Sequence, residues 1–379
     1  MSVASNLPFS IGEYEERRDR LRRQMELTGV DALLVSGAEN LYYLSGLSMN
    51  WGPPQYLIVP RDGPPRLLIY VTEEYNAEHF NWIEDWTSYR PGADPLQVVR
   101  ALLAGLDLAN GKIGIQKNRV SAEEFERLQE LLPRATLVDS AGVVERLRMI
   151  KSPAEIEYMR QAARAVEAAM RAGVAAIEEG KSENELAAAV YQAAILAGSE
   201  HMVNTNFIVA GERSVIPHAS WNGKRIERGD IVFFEISCRV QGYTVPLLRT
   251  AVLGQPDEHV ERAAQAVTLA LRRTIAAMHP GVTSGEVQRV CEKAFEETNY
   301  LPYFQHRAGY TIGLQWPETY AMSLQPDDPS PLQPGMVFHL VPHLEFHDRK
   351  YSIACGEVVL ITEDGRETLT NFERQVVVV

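Results

Sequence analysis

The chain has 379 residues, 45% of them hydrophobic and 23% charged, with a formal net charge of -13. That length suggests two domains with a sizeable core, and the acidic balance argues against nucleic acid, whose phosphates need clustered Lys and Arg. Cys238, Cys291 and Cys355 form no CxxC, no apolar run approaches the roughly 18 residues of a membrane span, and no signal-like segment opens the chain; a cytoplasmic protein with reduced thiols and no membrane partner is expected.

In chain order, Ile11 to Thr28 reads as a charged amphipathic helix, Val30 to Ser36 as a buried strand and Glu39 to Leu44 as a short helix. Tyr56 to Pro60 and Arg66 to Tyr70 are two strands joined by a Gly/Pro turn. Strands at Lys112 to Gln116 and Ala135 to Asp139 flank a helix that starts at Ser121, with Glu124 at capping-box spacing. This alternation predicts an α/β domain over residues 1–147. From residue 148 the texture changes. Ser152, with Pro153 at the first helical position and Glu155 in the first turn, opens a long helix to about Glu178; Ser182 and Glu185 open a second, to Ala197. Strands are expected at Ile231 to Val240, Leu248 to Leu253, Met336 to Val341, His343 to Tyr351 and Glu357 to Ile361, with helices at Asp257 to Met278 and Ser284 to Thr298. Segregated strands and helices make residues 148–379 an α+β domain.

Several phrases of this second domain are similar to the pita-bread family of creatinase, prolidase and aminopeptidase P. They are Met149 to Ile156 (MIKSPAEI), Val209 to His218 (VAGERSVIPH), Gly229 to Glu235 (GDIVFFE), Ala308 to Leu314 (AGYTIGL), Leu332 to Phe338 (LQPGMVF) and Glu363 to Thr370 (EDGRETLT). Asn40 to Gly46 (NLYYLSG) resembles the family's smaller N-terminal domain. The resemblance implies a pita-bread catalytic domain behind a creatinase-type α/β domain, and a homodimer.

Metal-dependent members hold two divalent ions with two Asp, one His and two Glu. At those positions this chain has Glu235, Pro246, Tyr310, Val341 and Gly356, with Glu357 one residue further on. Pro, Val and Gly supply no donor atom, so no metal and no other cofactor is expected. His343, Glu345 and His347 alternate with His339 and Val341 on what reads as one strand; they are taken as its solvated face in preference to a zinc site.

The resemblance carries the remaining chemistry. His218 matches the family histidine beside the reacting bond, which is the base in metal-free creatinase, and imidazole exchanges protons near neutral pH. Glu235, on an apolar strand, is a nucleophile, base or cation clamp, or else an ion-pair partner of Arg249 or Arg307. Tyr310 is placed to donate to a developing oxyanion, and His306 with Arg307 to hold a substrate carboxylate. Trp51 and Glu357 complete the expected substrate-binding set. The pattern is closer to ectoine hydrolases, which open a cyclic amidine to N-acetyl-2,4-diaminobutyrate through a glutamyl intermediate, than to creatinases. The expectation is a metal-independent hydrolase of a C–N bond in a small zwitterion. The alternatives are a creatinase-like amidinohydrolase, an Xaa-Pro dipeptidase-like enzyme and a non-catalytic pita-bread binding protein.

Overall fold

The computed structural model describes residues 6–48, 52–202, 206–216, 218–318 and 322–379. The chain divides into two compact units, Met1–Arg148 and Met149–Val379.

In the first unit, α1 (Ile11–Thr28) starts where the Ser10 hydroxyl accepts from the Glu13 N–H, and stops at Gly29 with φ 64°. β1 (Ala32–Val35), α2 (Ala38–Ser45), β2 (Tyr56–Pro60), β3 (Arg66–Tyr70), α3 (Glu74–His79) and β4 (Trp86–Tyr89) follow. Then come α4 (Pro95–Gly105), β5 (Lys112–Ile115), α5 (Ala122–Leu131), β6 (Thr136–Asp139) and α6 (Val143–Arg148). The strands form one sheet in the order β4-β3-β2-β1-β5-β6, parallel at β3–β4, β1–β5 and β5–β6 and antiparallel around β2. Leu34, Ile58, Leu68 and Ile113 of the sheet share a core with Val99 and Leu103 of α4 and Leu128 of α5. Under α2 the Asn40 amide is fully buried and satisfied: Arg148 Nη1 donates to its Oδ1 (2.7 Å), and its Nδ2 donates to Glu145 (3.2 Å). A buried amide left unpaired would cost about 1–3 kcal/mol, so the Asn of the NLYYLSG phrase has a structural role here.

The second unit begins with α7 (Pro153–Ala175) and α8 (Glu183–Leu196), followed by β7 (Phe207–Ala210), β8 (Ile231–Val240) and β9 (Tyr243–Val252). α9 (Glu258–Ala277), α10 (Ser284–Glu297), β10 (Gly309–Thr311), β11 (Val337–Leu340), β12 (His343–Phe346) and β13 (Tyr351–Ala354) come next. β14 (Glu357–Thr362), β15 (Gly365–Thr368) and β16 (Val377–Val378) end it. α7 and α8 both open with complete capping boxes, Ser152 with Glu155 and Ser182 with Glu185. Two four-stranded sheets, β16-β9-β8-β7 and β10-β11-β14-β15, meet at the outer edge of β9, where Gly356 N–H donates to Leu248 O (2.9 Å) and Thr244 N–H to Gly313 O (2.8 Å). α7 lies across β8 and β9, and at Gly173 the approach is so close that a Cβ would sit 2.6 Å from Val190 and 3.0 Å from Phe234. Among the described residues no helix is long and apolar enough to cross a membrane.

Two sequence expectations are corrected. The strand expected from Leu248 begins at Tyr243, because Gln241 and Gly242, both at positive φ, make a two-residue turn that pairs all of β9 with β8. Pro246 is tolerated inside that strand: the N–H groups of Thr244 and its alternate neighbours point away from β8, so the missing proton interrupts no β8–β9 bond. The strand expected from His343 to Tyr351 is the hairpin β12–β13, broken at residues 347–350 with Lys350 at φ 58°. His339 and His343 therefore lie on different strands of different sheets.

Candidate active site

Glu235 stands midway along β8, between Phe234 and Ile236, opposite Phe207 of β7 and Leu248 of β9. It is half-buried in the seam between the two sheets. Among the described residues no charge or hydrogen bond compensates its carboxylate, and burial alone pushes the group up to about 7. Neither arginine considered as its partner pairs with it. Arg249 is fully buried and donates to Glu357 (2.5 Å), to the carbonyls of Leu248, Phe372 and Glu373, and to Gly356 O. Arg307 lies over the Tyr310 ring, 4.5 Å from its centre.

Tyr310 projects from β10, paired with His339 of β11. Its hydroxyl receives the Trp316 indole N–H (3.1 Å) and lies 3.4 Å from His339 Nδ1. Burial, and then the nearby Glu235 charge, push the phenol far above its ordinary range, so Tyr310 is a neutral donor throughout the physiological range. His339 is fully buried and held at about 3, first by burial and then by Arg249. His343 is likewise held at about 3, by burial and then by His306 and His218. Both imidazoles are neutral at pH 7.

His218 occupies the left-handed region at φ 58°, an uncommon conformation for a side-chain-bearing residue, and packs its ring 5.1 Å from Phe207. Because Phe207 pairs with Glu235, that contact brings the imidazole to the Glu235 side of the ladder. His306 precedes Arg307; surrounding protein and then the Arg307 cation hold it below the usual histidine range. Glu235, Tyr310 and Arg307 are thus neighbours, with His218 and His306, both exposed, bordering them.

One expected member is not. Glu357 is fully buried, accepts from Arg249 and from the Thr370 hydroxyl (2.5 Å each) and has Arg374 at 3.4 Å, so its carboxylate is committed to an ion pair and is removed from the substrate-binding set. Trp51 lies outside the described residues. Three contributors were missed: His339, Trp316 and Phe207. The available signal for His339 was one polar residue inside the buried run Met336 to Val341, where a solvated strand would have alternated.

The residues at the family's five ligand positions do not fit a pair of divalent ions. Pro246 and Val341 are buried and apolar. At Gly356 a Cβ would strike the Leu340 carbonyl oxygen and lie 2.9 Å from Leu248 Cβ and 3.2 Å from His339 Nε2, so the backbone leaves no room for a ligand side chain. Glu345 lies 3.8 Å from His343 and 3.2 Å from His347, but among the described residues no group of three His, Cys, Asp or Glu side chains is arranged to hold a metal ion.

The profile of metallopeptidase family M24 matches residues 157–363, and that of the creatinase/prolidase N-terminal domain matches residues 17–150. An ectoine hydrolase of Halomonas elongata is 28% identical over 99% of this chain and 100% of its own length. An Xaa-Pro dipeptidase of Pyrococcus horikoshii is 27% identical over 96% of this chain and 99% of its own. The crystal structure of the prolidase from Pyrococcus horikoshii OT3 superposes with a TM-score of 0.87 at 26% identity, covering 96% of this chain and 100% of that one.

Proposed function

The chain belongs to metallopeptidase family M24, a hydrolase family of pita-bread fold, with a creatinase/prolidase domain at its N-terminal side; from this we propose that it is a metal-independent hydrolase that opens the cyclic amidine ectoine to N-acetyl-2,4-diaminobutyrate. The observation that carries this reading is Glu235, a carboxylate in an aromatic seam with no cation of its own among the described residues. An amidinium supplies that missing charge, and a carboxylate on the same molecule suits Arg307 and His306.

In the proposed reaction a Glu235 oxygen bonds to the amidinium carbon. One ring C–N bond then breaks, its electron pair leaving with the nitrogen, which takes a proton from His218. Water adds to the same carbon and gives one proton back to His218; as the glutamyl C–O bond breaks, the second water proton passes to the freed amine and the oxygen becomes the amide carbonyl, releasing the product and the Glu235 carboxylate. Tyr310, neutral and oriented by Trp316, donates to the oxygen that gains charge as water adds. The full-length likeness to an ectoine hydrolase supports this reading. The nearly as long likeness to an Xaa-Pro dipeptidase offers peptide hydrolysis as the second reading; the absence of donor atoms at Pro246, Val341 and Gly356 weighs against it.

Product analysis after incubation with ectoine, creatine and an Xaa-Pro dipeptide separates these activities. The expected result is acetyl-diaminobutyrate from ectoine alone, lost at least about a thousandfold in Glu235→Gln, as for removal of a nucleophile. Cleavage of the dipeptide, or an unimpaired Gln variant, overturns the proposal.

A further inference from the structure

Aromatic side chains gather around Glu235 without any part in the proton and covalent steps. Phe207 is its cross-strand partner, and partners on an antiparallel ladder point to the same side. Phe233, two residues earlier on β8, shares that side. Trp316 lies 6.2 Å from Phe207, ring centre to ring centre, and is tied to Tyr310 by its indole hydrogen bond. Phe233 and Trp316 are buried, whereas Phe207 keeps part of its ring exposed.

Aromatic faces carry negative partial charge, so rings placed beside a carboxylate repel a second anion and attract a cation. Aliphatic side chains would exclude water equally well and offer no such attraction. The nearby cations do not fill the place: Arg249 is committed to Glu357, and Arg307 lies over the Tyr310 ring and forms no ion pair with Glu235. We infer that Phe207 and Trp316 form a cation–π subsite beside Glu235 that selects a planar, delocalised cation, an amidinium or guanidinium, over an uncharged ring of the same size.

This inference rests on the cationic-substrate reading, and the test separates the two. Steady-state kinetics with ectoine, inhibition by the uncharged ring analogue cyclohexenecarboxylate, and melting temperature with acetamidinium are measured on the wild type, Phe207→Leu and Phe207→Tyr. Phe207→Leu is expected to raise KM for ectoine about tenfold while the inhibition constant of the carboxylate with the uncharged ring moves less than about twofold, and Phe207→Tyr, which keeps the ring, to restore the wild-type KM. Ectoine turnover with equal losses for both ligands in Phe207→Leu, or no loss for either, overturns the subsite and leaves the ring-opening reading standing. A wild type that does not turn over ectoine but is stabilised by acetamidinium, with that stabilisation lost in Phe207→Leu and regained in Phe207→Tyr, supports the subsite and overturns ring opening. Failure of both ectoine and acetamidinium to act on the wild type overturns both.

Discussion

Glu235 is a residue that the fold tolerates more readily neutral than charged. Its carboxyl rises from the ordinary 4.5 to about 7, so between those values the folded chain holds a proton that the unfolded chain has released. Stability therefore falls as pH rises through this window, and above pH 7 the full penalty applies. Glu235→Gln removes it: the variant is expected to melt higher than wild type at pH 8, by on the order of 2 kcal/mol for a partly exposed group, and to match it near pH 4.5. Thermal or urea unfolding at the two pH values checks this, and equal stability at pH 8 contradicts it. The same ionisation governs the nucleophile, so kcat/KM is expected to climb with pH up to about 7 as Glu235 loses its proton. His339 and His343 have the opposite sign. Each falls from 6.5 to about 3, so the unfolded chain binds protons that the folded chain refuses. Their contribution is complete above pH 6.5 and is lost as pH drops toward 3. Equilibrium unfolding from pH 7 to 4 should show a stability loss that is shallower in His343→Gln than in wild type; parallel profiles would refute the assignment.

At the scale of elements, the site is a seam between two sheets, and its narrowest point is the approach of β9 to the Gly356 backbone. Gly356→Ala puts a methyl group against the Leu340 carbonyl and Leu248, where neither can yield without moving a strand. Overpacking of this kind costs about 1–3 kcal/mol, so a lowered melting temperature is expected; a variant as stable as wild type would show that the seam is looser than described. Legibility in the sequence divides along the same line. Ser121, Ser152 and Ser182 announced their helices because a capping box is complete within four residues. β9 was cut short because the sheet-edge position that makes Pro246 harmless depends on distant pairing. The burial of His339 is not legible locally because the rings packed against it, Tyr310 and Trp316, come from another segment of the chain. The gathering of His218, Glu235, Tyr310 and Arg307 was legible only through the family phrases, since those residues span three separate segments. The commitment of Glu357 to Arg249 left no local trace at all, because the two lie on strands 108 residues apart.

For the whole molecule, both domains match family profiles, and each unit has its own core. Although the chain carries a net charge of -13, one end of the site holds the Arg307 cation, over the Tyr310 ring, with His306 next to it in sequence. The other end offers Glu235 and aromatic faces, so the site is polarised in the sense that a zwitterion entering cation-first would require. The family's usual metal pair has no donor set here, and the account stands or falls on catalysis without it. The decisive measurement is the rate of ectoine ring opening by protein that has been stripped with a chelator and assayed for metal content. The account predicts an undiminished rate at substoichiometric metal, with no increase on adding manganese, cobalt or zinc. Activity that vanishes on stripping and returns with a divalent ion would contradict it.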